Sequence, residues 1–258
     1  MHMLSDHTPK IRTFPRRISG EEAVVGVDLQ LERLAPVESL PWINSLRVTL
    51  EDGDGEDEFL LDPDMAYGEE PDVFAPIFDG GQHGAVLVGL VSTPQAAEWF
   101  VYSSEPCAEL LAEAIDRQFA RLSVEGSSRR DADWSVYREF LRPSLLERNL
   151  IENRAQIHEL EQHDVSLDGP LQVAHTVWFS APGDRNAFAE KVADRDFELH
   201  YPDEDMPIDA DNGDDVAYGL TISRHETVDA EHMDELVREL FKEAASLGGD
   251  YEGWHVEA

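Results

Sequence analysis

One cysteine, Cys107, stands in 258 residues, so no disulfide framework is possible and a reducing compartment is expected. Lysine is almost missing. Only Lys10, Lys191 and Lys242 occur, and the other seventeen of the 20 basic residues are arginine. No apolar run approaches the length of a membrane span, and no charged-apolar-small leader opens the chain. A soluble cytoplasmic protein is the expectation. Clustered lysine and arginine, which capture of phosphate requires, occur only at Lys10, Arg12, Arg16 and Arg17. That cluster reads as part of a flexible arm over residues 1–19, and direct nucleic-acid binding is not expected.

Acid is present in excess: 55 Asp and Glu against 20 Lys and Arg, a formal net charge of −35. Residues 1–143 hold 27 acidic and 12 basic side chains, and residues 144–258 hold 28 and 8. An excess spread over both halves points to adaptation to a salt-rich cytoplasm, where screening relieves self-repulsion. A face built for a basic partner is the competing explanation.

The length favours two domains. In the first, over 20–143, strands are expected at 23–31, 46–50, 85–91 and 98–102. A turn at Asp52–Gly55 leads into Phe59–Leu61, and a short helix passes through Val73–Phe78. A helix follows Pro106, with Leu110, Leu111, Ala114, Ile115 and Phe119 on one face. Residues 125–131 read as a loop, and Pro143 closes the domain.

Over 144–258, Ser144 can cap a helix to His163. A strand at 173–180, a helix capped by Asp184, strands at 197–201 and 216–223, a helix at 229–247 and a strand at 251–256 follow. The order after the leading helix is βαββαβ. The fold class expected is therefore α+β, with two α/β-sandwich domains, the C-terminal one ferredoxin-like with an extra leading helix.

Catalytic spacing is missing. The Asp209 and Asp52 loops place glycine or apolar residues where a calcium loop needs carboxylates. No histidine pair has the i, i+4 spacing with an intervening Glu that a zinc hydrolase helix uses, although seven histidines fall between 158 and 255. Cys107, opening an amphipathic helix, reads as structural. No cofactor, metal or catalytic residue is assigned. A metal-dependent hydrolase built on histidines and carboxylates that converge on folding is the alternative reading.

Three segments carry a resemblance. They are His175–Ser180 running into Asn186–Val192, the strand Phe197–Leu199, and the ending Leu247-Gly248-Gly249-Asp250-Tyr251-Glu252-Gly253-Trp254. The second half resembles the RraB family, regulators of ribonuclease E. Asp196 stands where family members have Gly, and the ending is close to the family's Tyr-Asp-Gly-Trp. The first half, through Glu98–Tyr102, Asp133–Tyr137 and Phe140–Pro143, is similar to the uncharacterised domain of unknown function six-nine-five.

The resemblance implies a ferredoxin-like domain that acts by binding a protein, possessing no catalysis of its own. Enterobacterial members bind ribonuclease E and inhibit RNA cleavage. The partner would be ribonuclease-like with Arg-rich segments, drawn by charge. Candidate partner-binding or motif residues are Tyr251, Gly253, Trp254, His175 and Trp178. Strict alternation puts Tyr251 and Trp254 on opposite faces of the last strand, and packing is the preferred role for this motif.

Overall fold

The structure is a computed structural model describing residue 7 and residues 11–50, 84–93, 96–118, 122–163, 165–201, 206–207 and 216–257. The turn at Asp52, the short helix near Val73 and the Asp209 loop lie outside the described residues. The chain divides into two compact units, 1–143 and 144–258.

The first unit is built on one six-stranded sheet. Its strands are β1 (Ile11–Ile18), β2 (Glu21–Asp28), β3 (Trp42–Leu50), β4 (Val86–Ser92), β5 (Ala96–Ser103) and β6 (Leu122–Arg130). The spatial order is β1-β2-β4-β5-β3-β6, with antiparallel pairing throughout. Helix α1 (Ala108–Gln118) covers one face and buries Leu111, Ala112 and Ile115 against Leu46, Val48, Trp99 and Val101. Leu111 and Ile115 each contribute roughly 1.5–3 kcal/mol through the apolar surface they remove from water.

The opposite face packs under the segment from Asp131 to Leu141. The Trp134 ring stacks on Tyr102 at 4.1 Å, and Trp134 Nε1 donates to the Leu40 carbonyl. A single π-helical turn, Val136–Leu141, then leads to Pro143. Asp131 fixes the start of this turn by accepting from Tyr102, from the Ser135 hydroxyl and from the backbone N–H groups of Ser135 and Val136. Burial opposes ionisation of Asp131, but these four donors outweigh it and hold the carboxyl below the usual range.

Two expectations are corrected here. Residues 11–18 are not an arm but an edge strand in full register with β2. Arg16 there donates to the carbonyls of Phe140 and Arg142 at the end of the π-turn, where free acceptors and the helix dipole favour a cation. Residues 125–130 are not a loop but most of β6, paired with β3 over nine residues. Their polarity reflects an edge strand with one flank in solvent.

In the second unit, helix α2 (Leu145–Gln162) opens with a capping box in which the Ser144 and Glu147 side chains each take the other's backbone N–H. Then come β7 (Leu171–Phe179), α3 (Pro182–Val192), β8 (Glu198–His200), β9 (Met206–Pro207), β10 (Val216–Glu226), α4 (Ala230–Ser246) and β11 (Asp250–Val256). Helix α3 starts at Pro182 after Ala181, without the side-chain cap expected from Asp184. Helix α4 is capped by Asp229, whose carboxylate accepts from the His232 N–H.

The main sheet runs β11-β7-β10-β8, all antiparallel, while β9 pairs with the start of β10. Counting only those four strands along the chain, this is fourth-first-third-second. Odd positions of β7 (Val173, Val177, Phe179) join Leu150, Phe188, Leu236 and Leu240 in one core beneath all three helices. The protein is thus α+β in both units.

Candidate functional site

The terminal motif acquires its geometry from an irregularity in β11. Tyr251 pairs with Val177, but Gly253 pairs with Thr176 and Trp254 with His175, so Glu252 is an extra residue bulged out of register. Gly253 sits at φ +143°, a backbone region favouring glycine, with no atom near a would-be Cβ. The inserted residue resets the alternation. Tyr251 and Trp254 therefore share the core face, both buried, and the expectation of opposite faces is corrected.

Each aromatic carries a polar group that must be satisfied inside. Trp254 Nε1 donates to Asn153 Oδ1 at 2.8 Å, and Asn153 Nδ2 donates to Asp234 Oδ1 at 2.6 Å. Asn153 belongs to α2 and Asp234 to α4, so one buried chain ties the last strand to two helices. Arg154, 3.5 Å from Asp234, balances the carboxylate.

The Tyr251 hydroxyl lies 2.9 Å from His175 Nδ1. Burial raises the Tyr251 pKa and so keeps the hydroxyl protonated. His175 is fully enclosed; burial first, and then the positive charges of Arg224, His255 and Arg195, push its pKa down to about 3. A neutral ring accepting the Tyr251 proton at Nδ1 carries its own proton on Nε2, for which the described residues supply no hydrogen-bond partner. That ring stands edge-on to Phe197 at 6.2 Å, and Arg224 lies over the Phe197 ring at 4.2 Å. His175 is part of the packing.

Trp178 differs from the other four candidates. It lies at an even position of β7, on the face turned away from the helices, half-buried, with Nε1 donating to Glu252 Oε2 at 2.7 Å. The bulge that turns Trp254 inward holds Glu252 where it meets Trp178. By strand parity, Thr176, Thr221, His200 and His255 share this face with Trp178. Among the described residues of this unit, no helix covers it. Three exposed histidines, His200, His225 and His255, lie on this face. Their common sheet face follows from the pairing of β7 with β10 and β11, which the sequence does not display. Among the described residues, no three His, Cys, Asp or Glu side chains converge as a metal site, so the hydrolase alternative is not favoured.

The first unit's Cys107 is buried at the start of α1, its thiol pKa raised by burial, which disfavours the reactive thiolate.

Comparison with known families separates the two units. A family model described as "Family of unknown function (DUF695)" matches residues 12–142, about half of the chain. The chain belongs to that family. Its second unit matches the model "Regulator of ribonuclease activity B" over residues 150–256, a span beginning just before Asn153 and ending just after Trp254. Both halves of the resemblance read from the sequence are thus found. No curated protein matches the chain. A solved structure described as an unknown protein from Galdieria sulphuraria aligns over 84% of this chain and 98% of that one, at 13% identity and a TM-score of 0.26. No helix of the described residues is long and apolar enough to cross a membrane.

Proposed function

We propose that this protein is a non-catalytic regulator whose second unit binds a protein partner of the ribonuclease kind and restrains its cleavage of RNA. The observation that carries the reading is the match of residues 150–256 to a family of ribonuclease regulators. The binding surface is the helix-free face of the β11-β7-β10-β8 sheet, centred on Trp178, with Glu198, Asp250 and Glu252 exposed around it. A flat aromatic edged by carboxylates suits an arginine-rich segment, through stacking on the indole and ion pairs at the rim. Tyr251, Gly253, Trp254 and His175 serve this surface indirectly, by fixing the strand that holds Glu252 against Trp178. The four-stranded order supports a ferredoxin-like assignment for this unit. The acid excess elsewhere suits a salt-rich cytoplasm and is not needed for the binding role.

The test adds purified full-length chain to ribonuclease E acting on an RNA substrate. Wild-type protein slows cleavage, and Trp178→Ala loses the effect while melting as wild type does. Unchanged cleavage at saturating protein, or full inhibition by Trp178→Ala, would reject the proposal or its surface respectively.

A further inference from the structure

Strand β6 ends the six-stranded sheet of the first unit. It pairs with β3 from Leu122 to Arg130 without a bulge or register shift, and Glu125 through Arg130 are all exposed. Among the described residues, nothing pairs with its outer edge. The strand has no proline or bulge to blunt such an edge, and its charges are Glu125, Arg129 and Arg130. Its alternation sorts Glu125, Ser127 and Arg129 to one face of the sheet. Gly126 and Ser128 take the other, beneath the start of α1. There a Cβ on Gly126 would lie 2.7 Å from the Ala108 carbonyl oxygen, and Ser128 Oγ accepts from the Ala108 N–H.

From this edge we infer that the protein pairs with a second copy of itself, β6 against β6, giving one continuous antiparallel sheet. A two-fold axis perpendicular to the sheet keeps each face on its own side, so odd positions must oppose odd positions. Centred on Ser127, the register sets Glu125 against Arg129 of the second copy, and the symmetry repeats the pair. Opposite charges across a strand pair are stabilising, and like charges are not. Sliding by two residues one way leaves Glu125 facing Ser127; the other way it faces Asp131. Slides of four residues set Glu125 against Glu125 or Arg129 against Arg129. One register alone satisfies both charges.

Helix α1 begins over Gly126 and Ser128 and its chain re-enters β6 at Leu122, so it runs away from the axis. The second copy's helix runs the opposite way. Arg129 also lines an open cleft of roughly 460 Å³ with Ser45, Glu98, Phe100, Glu139 and Phe140. In the pair, Glu125 of the second copy stands at the rim of that cleft beside Arg129. With −35 on each chain, long-range repulsion opposes association at low salt and is screened at high salt.

Sedimentation equilibrium of the full chain in about 1 M salt, where the Debye length is about 3 Å, measures it directly. The mass expected across the micromolar range is twice the 29.0 kDa of one chain. Glu125→Arg and Arg129→Glu each weaken the pair by roughly threefold, and the double reversal restores it. Glu125 also faces Arg47 on β3, so the melting curve of each variant is recorded alongside. Should a variant fail to fold, amide exchange of wild-type residues 123–130 decides, slowing as protein concentration rises. A monomeric wild type, a dimer indifferent to both single reversals, a double reversal that stays monomeric, or exchange independent of concentration would overturn the inference.

Discussion

His175 and Tyr251 form a pair whose chemistry depends on exclusion of water. Unfolded, His175 titrates near its ordinary value of about 6.5; folded, it does so at about 3. The unfolded chain therefore binds more protons between those values, and the stability due to this group is complete above about pH 6.5 and is lost as pH falls toward 3. Urea denaturation at pH 7 and pH 5 should show His175→Asn reducing the loss on acidification by up to about 2 kcal/mol relative to wild type. Equal losses would mean that the ring is accessible to protons in the fold. Asp196 offers a second test at this scale. It holds φ +60°, a left-handed conformation that is easy for glycine and costly for other residues, at the position where the RraB resemblance has Gly. Asp196→Gly should gain up to about 1 kcal/mol and Asp196→Ala should lose stability, as read by chemical denaturation.

At the scale of elements, β11 shows what one inserted residue does. Without the bulge, Tyr251 and Trp254 would face opposite sides; with it, both enter the core and Glu252 is left to meet Trp178. Gly253→Ala strains the backbone at φ +143° and should cost about 1–2 kcal/mol. Trp254→Phe keeps most of the apolar contact but leaves Asn153 Oδ1 unpaired, at about 1–3 kcal/mol. A thermal melt within error of wild type for both would deny the motif its structural role. The helices were legible in sequence because apolar periodicity and a cap such as Ser144 are local, although the cap read at Asp184 does not form. The bulge was not, since parity read along one strand contains no signal for an extra residue set by pairing across strands. Strand β6 escaped for a related reason. Its outer residues are polar like a loop's, and its strand character comes from β3, some 80 positions away in sequence. Pairing across strands, absent from any one segment, likewise hid the face shared by Trp178, His200 and His255.

For the whole molecule, charge is the leading quantity. A net of −35 distributed over both halves repels itself wherever salt does not screen it. Melting temperature should therefore rise between about 0.01 M and 1 M salt, as the Debye length contracts from about 30 Å to about 3 Å. A melting temperature indifferent to salt would mean that the acids are already balanced by close pairing. The two units divide the labour in this account. The first belongs to a family without an assigned activity and offers an edge strand and a cleft, and the second offers an open sheet face braced from beneath by its own terminal motif. Binding through that second face is measured by the rate of RNA cleavage by ribonuclease E, with and without this protein. Cleavage should slow with wild-type protein and proceed uninhibited with Trp178→Ala. Cleavage at an unchanged rate with saturating wild-type protein would contradict such binding.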